Sequence, residues 1–563
     1  MEKIRVFCKN TDKYYSTKPG TKLVDFLKEI RYNEGEHRVL AAYVNNQLKG
    51  LGFEFYIAST VEFLDITKED GRRTYVRSLS FLLQRAIFDL YPDCLLSLDY
   101  TLPNGLYGEL RDKKNFSLTV PTTDEDVCKI LDRMTNLVKE NFLFIKIKKT
   151  NAEARALYES HGQQEKAKLL ESIGSIFASV YYLDGYADTF YGPMLYSTGY
   201  LEAYNLIKYN GGFCLQAPVP YPPYNMPHVK FQDKLFEIFK ENRDWCEIIG
   251  AKDIGTINKG IIEGHAKEII QVSEALHERK FAIIADRIFQ KKDKVKLVLI
   301  AGPSSSGKTT SSKRIALQLK VLGLNPIVIS MDDFFVDREH TPKDENGNYD
   351  FESINALDLN LLNTELNQLF EGEEIVLPRF NFEAGSRTMD GKKIKMTGED
   401  IVVMEGIHAL NPILTEKIAP EKKFKVYASA LTSLSIDENN SISTTDSRLL
   451  RRMVRDSNFR GISAEDTILR WKSVVAGENK NIFPYQENAD IMFNSYLIYE
   501  LPMLKFYAES LLRRIPPISP AYAESLRMIK FLSYVVELNP QEQTGIPPTS
   551  IMREFIGGSS FKY

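Results

Sequence analysis

A glycine-rich segment set between a strand pattern and a helix pattern constrains this chain most strongly. Residues 302–309 read Gly-Pro-Ser-Ser-Ser-Gly-Lys-Thr and match the pattern G-x-x-x-x-G-K-[ST]. An apolar run at 295–300 predicts a strand before it, and residues 309–322 predict a helix after it. In that setting glycines let backbone N–H groups curl around phosphate oxygens, and the helix N-terminus faces the same anion. We therefore predict a phosphate-binding loop that holds ATP.

The side chains of this loop have distinct predicted tasks. Lys308 is expected to reach the β- and γ-phosphates, and the Thr309 hydroxyl to ligate Mg²⁺. Thr310 is expected at the helix N-terminus rather than as a second metal ligand. ATP and Mg²⁺ are thus the predicted cofactors. The predicted nucleotide-binding set is Gly302, Ser304, Ser305, Ser306, Gly307, Lys308, Thr309 and Thr310.

Acidic residues follow two further predicted strands. Asp332 and Asp333 come after the strand pattern at 326–330, and Glu405 follows the one at 401–404. Ligands gather at the carboxyl ends of parallel strands, so these positions are expected to face the phosphate-binding loop. Phosphoryl transfer needs one carboxylate near the acceptor hydroxyl and another near the metal. Taken singly, each position is as readily explained as a solvated loop residue.

Arginines recur on one predicted helix face at positions 448, 451, 452 and 455. Guanidinium groups on a mobile helix are able to cover phosphates and stabilise the transferring charge. We predict that role for Arg451, Arg452 and Arg455. Without the loop, an ordinary solvated basic face would explain them better.

Composition limits the other classes of function. The 563 residues are 43% hydrophobic and 26% charged, which is enough apolar material for several cores. The net charge of −3 does not favour nucleic-acid binding. Five scattered cysteines without a C-x-x-C pair predict neither a disulfide framework nor a cysteine zinc site. We expect a cytoplasmic protein without a membrane segment, and an oligomer is compatible with the sequence.

Ordered motifs in the second half resemble the uridine kinase/phosphoribulokinase family. Beyond the loop, Ser-Met-Asp-Asp-Phe-Phe stands at 330–335, Tyr-Asp-Phe at 349–351 and Pro-Arg-Phe-Asn-Phe at 378–382. Further blocks are Ser-Arg at 386–387, Val-Met-Glu-Gly at 403–406, the arginine segment 448–456 with Arg460, and Ala-Asp-Ile at 489–491.

The resemblance implies a role for each matching residue. Asp332 would be the general base, and Thr309, Glu405 and Asp332 would surround Mg²⁺. Asp350 would hold sugar hydroxyls. Lys308 would act in catalysis with the arginines named above. The implied substrate-contacting set is Asp350, Phe335, Phe380, Arg387 and Arg460.

Some positions depart from the uridine kinase pattern. Phe335 and Phe380 stand where tyrosine is usual. They can stack on a base but lack a hydroxyl, and packing as core aromatics explains them equally well. Gly385 replaces a histidine that reads the pyrimidine. His408 looks more like the phosphoribulokinase branch and is explained as well by packing as by ligand contact. The acceptor therefore stays open.

The first half resembles the N-terminal half of threonyl-tRNA synthetase. Residues 3–66 look like its TGS module, and 70–215 like its editing domain. The editing domain uses an H-x-x-x-H helix with a later Cys and His. Here Arg77, Phe81, Phe190 and Met194 occupy those positions, so hydrolytic editing is not expected.

We predict a multidomain α/β and α+β chain. A β-grasp-like TGS module (1–68) precedes an α+β editing-like domain (69–228), a helical connector (229–292), a parallel-sheet P-loop kinase domain with covering helices (293–500), and C-terminal helices with a tail (501–563). Locally, we expect Thr21 to cap a helix over 22–30, single helices over 152–171 and 259–290, and an extended connector over 217–227.

The predicted function is an ATP-dependent kinase of a nucleoside hydroxyl. Alternatives are another small acceptor, such as a phosphoribulokinase-like sugar or pantothenate, or a regulator that senses tRNA or nucleotide and uses the kinase fold as a switch. A tRNA or protein partner for the first half is open, although the charge does not support RNA.

Overall fold

The computed structural model describes residues 3–32, 35–102, 105–219, 226, 232–343, 347, 349–381 and 384–562. Apart from 217–219 and 226, the predicted connector at 217–227 lies outside these ranges. The chain starts with a mixed five-stranded sheet of order β2-β1-β7-β4-β5, packed against one short helix. Its elements are β1 Ile4–Cys8, β2 Lys13–Thr17, β3 Thr21–Lys22, α1 Leu23–Glu29, β4 Ala41–Val44, β5 Gln47–Gly50, β6 Glu54–Phe55 and β7 Ser59–Leu64.

The prediction that Thr21 caps α1 is wrong. Lys22 is the residue before the helix and makes no side-chain capping bond, whereas Thr21 pairs with Phe55 in a short strand. The Thr21 hydroxyl accepts a hydrogen bond from Thr17 at 2.9 Å. Pairing between distant strands has therefore taken the residue that the local pattern assigned to a cap.

A second α+β region follows, with two antiparallel sheets beside a long helix. The single helix predicted at 152–171 is two helices, because the first ends at Gly162, which has a φ of +82°. The elements are α2 Glu69–Leu90, β8 Cys94–Leu102, β9 Gly105–Asp112, β10 Thr119–Val120, α3 Asp124–Glu140, β11 Ile145–Thr150, α4 Asn151–His161, α5 Gln164–Ser172, β12 Phe177–Leu183, β13 Tyr186–Asp188, β14 Asn205–Tyr209 and β15 Gly212–Gln216.

Three helices lead into the third region. The helix predicted at 259–290 is divided at Gly264, which has a φ of +87°. The helices are α6 Asp233–Ile248, α7 Ile254–Ile262 and α8 Ala266–Phe289. The hydrophobic faces of α7 and α8 join the same buried cluster as the following sheet. These helices are therefore part of a packed core and not a detached spacer.

The third region is a five-stranded, wholly parallel sheet of order β17-β22-β16-β23-β26 covered by helices, which confirms the predicted fold. Its central strand is buried at every position, as expected for a strand covered on both faces. The elements are β16 Leu297–Ala301, α9 Lys308–Val321, β17 Asn325–Ser330, α10 Leu359–Phe370, β18 Glu374–Val376, β19 Arg379–Asn381, β20 Ser386–Thr388, β21 Lys393–Lys395, β22 Asp400–Glu405, β23 Lys423–Ser429, β24 Ser435–Asp437, β25 Asn440–Ser441, α11 Thr444–Phe459, α12 Ala464–Asn481 and β26 Ile491–Asn494.

The C-terminal region is more ordered than a tail. It contains α13 Glu500–Arg513, α14 Tyr522–Leu532 and the short α15 Arg553–Ile556. Ile551, Met552 and Phe555 are fully buried, and α15 packs against α11. Prolines and glycines prevent a long helix here, but the apolar side chains still provide enough contact area to hold the segment on the kinase region.

Buried polar contacts join the first half to the kinase region. Lys166 Nζ donates to Asn439 Oδ1 at 2.6 Å and is paired with Asp188. Tyr191 OH donates to Asp437 Oδ2 at 2.8 Å. A buried, paired network of this kind fixes the relative position of the elements that carry it. Among the described residues, no helix combines the length and apolar character needed to cross a membrane.

Candidate active site

The strand register brings three chain segments to one edge of the parallel sheet. Glu405, the last residue of β22, lies opposite Ile300 of β16 and Ser330 of β17. The phosphate-binding loop begins just after β16, and Asp332 follows β17 in a short 3₁₀ turn. The loop, Asp332 and Glu405 therefore converge at the carboxyl ends of neighbouring strands, where a parallel sheet binds its ligands.

Backbone geometry explains the loop sequence. A Cβ atom on Gly302 would collide with the Ala428 carbonyl oxygen, so the chain can pass there only as glycine. Gly307 has a φ of +77°, in the left-handed region that favours glycine. Immediately after it, α9 starts at Lys308, so the helix N-terminus faces the loop as predicted.

Lys308 lies beside the carboxylates at the strand ends. Its ammonium group donates to the Pro303 carbonyl oxygen at 3.0 Å. Burial lowers the pKa of Lys308, while the charges of Glu405, Glu554 and Asp332 oppose that shift. The lysine is thus a buried cation near several carboxylates, and an ammonium group of this kind can also donate to phosphate oxygens.

A hydroxyl–carboxylate contact marks the predicted metal position. Thr309 Oγ1 donates to Glu405 Oε1 at 3.0 Å. Burial raises the pKa of Glu405, Lys308 lowers it, and the charge of Asp332 raises it, which places the two carboxyl groups in one electrostatic environment. A hydroxyl and one or two carboxylates, completed by phosphate oxygens and water, are the ligands that Mg²⁺ prefers.

The same residues therefore fit Mg²⁺ rather than a softer metal. Over the described parts of the chain, no group of three or more His, Cys, Asp and Glu side chains is arranged to hold a metal ion. A dedicated all-protein cage is thus lacking there, and a substrate phosphate would have to complete the coordination. That is how Mg²⁺ is held in phosphoryl-transfer sites.

The structure changes the prediction for Arg451. Its side chain is fully buried, and all five N–H donors face protein acceptors. Nε and Nη2 donate to the Glu500 carboxylate at 2.7 and 2.6 Å. The remaining donors reach the Ser305 and Ser495 carbonyl oxygens and the Ser495 hydroxyl. No donor is left for a phosphate, so Arg451 holds the loop backbone and does not cover the nucleotide.

Arg448 has a similar position. It is 2% exposed, forms a bidentate pair with Glu478 and donates to the Ser304 carbonyl oxygen at 3.1 Å. Glu478 in turn accepts a hydrogen bond from the Ser304 N–H at 2.8 Å. These contacts shape the phosphate-binding loop from behind. The sequence predicted a mobile helix of arginines, but Arg448 and Arg451 are fixed by buried contacts that hold the phosphate-binding loop.

Arg452 and Arg455 lie on the accessible side of α11. Arg452 Nη1 donates to Ser304 Oγ at 2.9 Å, within the loop itself. Arg455 pairs with Asp456 at 3.4 Å, and burial followed by the charge of Arg460 lowers its pKa. These two guanidinium groups stay the candidates for contact with the transferring phosphate.

The predicted acceptor side contains two phenylalanine rings close together. The ring centroids of Phe335 and Phe380 are 5.6 Å apart at 54°. Asp350 accepts from the Glu352 N–H at 3.2 Å and lies 3.9 Å from Lys480. Half-buried aromatic rings can contact a planar base, and a carboxylate can accept hydrogen bonds from sugar hydroxyls. The geometry is therefore compatible with the predicted substrate contacts.

Arg387 and Arg460 are already paired. Arg387 Nη2 donates to Asp358 Oδ2 at 3.0 Å, which fixes the residue that caps α10. Arg460 pairs with Asp456 at 3.4 Å, and its side chain is half exposed. Arg387 thus has an evident structural task, whereas the charge of Arg460 also reaches Asp332 and lowers the pKa of that carboxyl.

An arginine fills the space beside Gly385. The Arg338 Nε atom lies 2.7 Å from the position that a Cβ on Gly385 would take, and Gly385 has a φ of +69°. A histidine at 385 would therefore collide with this guanidinium. Gly385 therefore has a positively charged side chain, Arg338, as its neighbour.

The C-terminal segment contributes a carboxylate to the site that no sequence pattern predicted. Thr310 Oγ1 donates to Glu554 Oε2 at 2.6 Å. Ile551 Cγ2 lies 2.7 Å from the Cβ position of Gly307, so the same segment touches the loop. Thr310 is thus at the helix N-terminus, as predicted, and its hydroxyl is engaged. No local pattern could have linked positions 244 residues apart.

Two buried titratable groups beside the phosphate-binding loop are His408, whose role the sequence left open, and Glu352, which was not predicted. His408 is 2% exposed, and burial lowers its pKa to about 4, so the ring is neutral near pH 7. Burial likewise raises the pKa of Glu352, and Glu478 raises it further, while Lys308 and Arg452 act in the opposite direction. His408 therefore packs next to the site as an uncharged group.

In the first half, the structure gathers the positions that have lost the editing residues. Phe81 and Phe190 have ring centroids 5.0 Å apart in the core, and Met194 accepts a weak hydrogen bond from Ser78 at 3.5 Å. Arg77 lies against the 192–193 backbone. These four side chains provide neither a metal ligand nor a nucleophile.

Comparison with known proteins assigns the kinase region. The model of the phosphoribulokinase/uridine kinase family matches residues 297–499. A uridine kinase of Clostridium perfringens is 31% identical over 196 residues, which cover 34% of this chain and 84% of the relative. The chain belongs to the phosphoribulokinase/uridine kinase family. Its loop and carboxylates thus lie within the part shared with that kinase family.

Other similarities concern the first half and the fold. A threonine–tRNA ligase of Acetivibrio thermocellus is 28% identical over 175 residues, 31% of this chain but only 27% of the ligase. This similarity covers the N-terminal part, so the family kinase region is fused to a ligase-like region. A D-glycerate 3-kinase structure from Cryptococcus neoformans covers 48% of this chain and 89% of that chain at 14% identity, with a TM-score of 0.21.

Proposed function

We propose that this chain is an ATP-dependent kinase that phosphorylates a nucleoside hydroxyl. The observation that carries the proposal is the contact of Thr309 with Glu405 at 3.0 Å, with Lys308 and Asp332 in the same electrostatic environment. The hydroxyl, the carboxylates and the ammonium group together provide the charges that Mg-ATP and an incoming hydroxyl require.

Asp332 is the proposed proton acceptor. Burial raises its pKa above the ordinary carboxyl value, and Lys308 opposes that shift. A base whose pKa is closer to neutrality accepts a proton more effectively in the transition state. In this mechanism the acceptor hydroxyl loses its proton to Asp332 while its oxygen bonds to the γ-phosphorus and ADP departs.

Charge on the phosphates is balanced by residues of the loop and of α11. Lys308 and the N-terminus of α9 face the phosphate site, and Arg452 reaches it from the opposite side through Ser304. Thr309, Glu405 and Asp332 would hold Mg²⁺, which supplies further neutralisation of phosphate charge when bound. Arg451 contributes only indirectly, by holding the loop carbonyl groups.

The aromatic pair and the uridine kinase relatives support a nucleoside as the acceptor. Phe335 and Phe380 offer ring faces on which a base can stack, and Asp350 offers a carboxylate for sugar hydroxyls. Since both rings lack hydroxyl groups, we expect weaker discrimination between bases than a hydrogen-bonding site would give.

The test is ADP release by the full-length protein with ATP, Mg²⁺ and a panel of nucleosides. We expect at least one nucleoside to stimulate ADP release. Asp332→Asn should abolish turnover and still bind ATP, and Asp390→Asn, at an exposed position of the same domain, should behave like wild type. Stimulation by a non-nucleoside alone would show that the nucleoside assignment is wrong.

A second candidate is a kinase with an anionic small acceptor, such as a sugar phosphate. The position of Arg338 beside Gly385 favours it, because a guanidinium group binds phosphate or carboxylate well. If the acceptor is anionic, Arg338→Gln should raise its KM by about tenfold or more. If a neutral nucleoside is the acceptor, the same variant should leave that KM nearly unchanged.

A further inference from the structure

Four basic side chains from separate elements surround one turn in the first half. Arg77 comes from α2, Lys146 from β11, Lys530 from α14 and Lys49 from β5. We call them the cationic cluster. No ion pair joins any of the four to a carboxylate within the described residues. The partners that the structure gives them are neutral, such as the Gln47 amide oxygen, which accepts from Lys49 Nζ at 3.1 Å. Positive charges without a carboxylate partner need an external anion or exposure to water.

The turn at 192–194 holds the cluster together. Arg77 Nη1 donates to the Pro193 carbonyl oxygen at 2.7 Å, and Tyr181 OH donates to the Gly192 carbonyl oxygen at 2.6 Å. Lys146 Nζ lies 5.7 Å from the centroid of the Tyr181 ring. The cations on α2 and β11 are thus fixed around the same backbone segment.

The other two members approach from outside this sheet. Gly50, next to Lys49, has its Cβ position 3.5 Å from Pro193 Cβ. Helix α14 packs against β5, which brings Lys530 to the same place. The charges of Lys146 and Arg77 both act on Lys530. Four elements that are distant in sequence therefore present one positive surface.

Nearby carboxylates are already engaged. Asp70 accepts hydrogen bonds from Tyr43 at 2.7 Å and Arg73 at 3.0 Å. Glu524 accepts from Arg73 and Arg527 at 2.8 and 2.9 Å. These acids are paired with arginines outside the cationic cluster, and neither forms an ion pair with a member of it; of the two, Asp70 acts on Arg77 through its charge.

The titration behaviour agrees with this arrangement. Burial, together with the charges of Lys146 and Arg77, lowers the pKa of Lys530 to about 8. Burial lowers the pKa of Arg77 to about 10, with Arg527 and Arg73 acting in the same direction and Tyr181 and Asp70 against it. A bound anion would reverse both shifts.

We propose that the cationic cluster of Lys49, Arg77, Lys146 and Lys530 is a binding site for a phosphate group, separate from the ATP site. A phosphate carries more than one negative charge on a compact group and accepts hydrogen bonds on several sides, which matches converging arginine and lysine donors. The phosphate belongs to a small phosphorylated molecule or to the backbone of a single-stranded RNA.

The test is an NMR titration of the full-length protein with ¹³C-methylated lysines, in which the Lys530 signal is assigned from Lys530→Arg. Inorganic phosphate and a short single-stranded RNA are the two probes. We expect at least one probe to raise the pKa of Lys530. Arg77→Gln should weaken that binding by about tenfold, and Arg77→Lys should restore part of it.

Lys308→Ala removes phosphate binding at the ATP loop and serves as the matched control. The Lys530 response should persist in that variant. A response to phosphate identifies a free anion as sufficient, whereas a response to RNA alone identifies the nucleic-acid backbone as the source. No response of Lys530 to either probe would overturn the proposal. So would a response that is lost in Lys308→Ala but kept in Arg77→Gln.

Misfolding of a variant can be separated from loss of the site. Lys146→Gln alters an exposed member on a different element, and it should weaken binding in the same direction. Lys472→Gln, at an exposed position of α12, should have no effect. Unchanged binding in both Arg77→Gln and Lys146→Gln would likewise refute the site.

Discussion

The buried pair of Arg451 and Glu500 allows a sharp test of how the phosphate-binding loop is supported. Arg451→Met removes every donor that the Glu500 carboxylate accepts from this guanidinium, while both side chains are at 0% exposure. Breaking a buried pair by removing one partner costs about 3–5 kcal/mol. We therefore expect a large loss of stability in the kinase region, together with weaker ATP binding.

The pH dependence of this loss has a defined sign. Burial already raises the pKa of Glu500, and Arg451 opposes that shift, so the variant has a still higher folded-state pKa. A carboxyl with a raised folded-state pKa favours the folded state when protonated, and that contribution is lost as the pH rises through the pKa. The destabilisation should therefore be smaller at about pH 5 than at about pH 8.

Urea unfolding followed by tryptophan fluorescence measures the effect, because Trp471 is buried in α12 near Arg448. The double variant Arg451→Met with Glu500→Leu should recover most of the lost stability, since an apolar replacement of a buried ion pair is often neutral or stabilising. An Arg451→Met protein with an unchanged urea midpoint but a reduced turnover would refute this reasoning and restore a direct phosphate contact.

Three further outcomes follow from the site. Glu554→Gln should tighten ATP binding by about three- to tenfold, because it removes a negative charge beside Thr310. The control Glu537→Gln, at an exposed position, should leave the affinity for ATP unchanged. An unchanged affinity in Glu554→Gln would show that the phosphates lie beyond the reach of the Glu554 carboxylate. Turnover should fall as the pH drops through the pKa of Asp332, which burial raises above 3.8, and Asp332→Asn should remove this limb from a pH–rate profile. Thr309→Val should raise the Mg²⁺ concentration needed for half-maximal rate, and a normal Mg²⁺ requirement would contradict the proposed ligand set.

Local sequence patterns were sufficient to predict the parallel sheet and its phosphate-binding loop. The apolar run that becomes β16 is buried at all five positions, and the glycine pattern follows it directly. Acidic residues that follow strands meet at one sheet edge by topology alone, so Asp332 and Glu405 could be placed near the loop without coordinates. Family membership agrees with that reading.

Contacts between residues far apart in the chain could not be predicted from local sequence patterns. Helical spacing put Arg451 on a face with other arginines, but its inward direction depends on Glu500, which is 49 positions away. Glu554 reaches Thr310 from α15, and nothing in its own neighbourhood predicts that contact. Likewise, the cationic cluster depends on the docking of α14 onto β5.

The role of the first half as a partner-binding region stays a prediction. Its buried contacts with Asp437 and Asn439 show that the two halves share one packed interface. The ion pair of Arg448 and Glu478, which holds the phosphate-binding loop, lies entirely within the kinase region. A nucleotide switch without phosphoryl transfer would leave the carboxylates at the strand ends without a chemical task.

The most direct measurement is ³¹P NMR of full-length protein incubated with ATP, Mg²⁺ and, in separate samples, each of a panel of nucleosides and anionic sugars. With at least one nucleoside, we predict a phosphomonoester signal that grows with ADP for wild type, and no such signal for Asp332→Asn under conditions where that variant still binds ATP. A phosphomonoester that forms at an equal rate with Asp332→Asn would contradict the assignment of the general base. ATP binding without any phosphorylated product, across nucleosides and anionic sugars, would contradict the kinase itself.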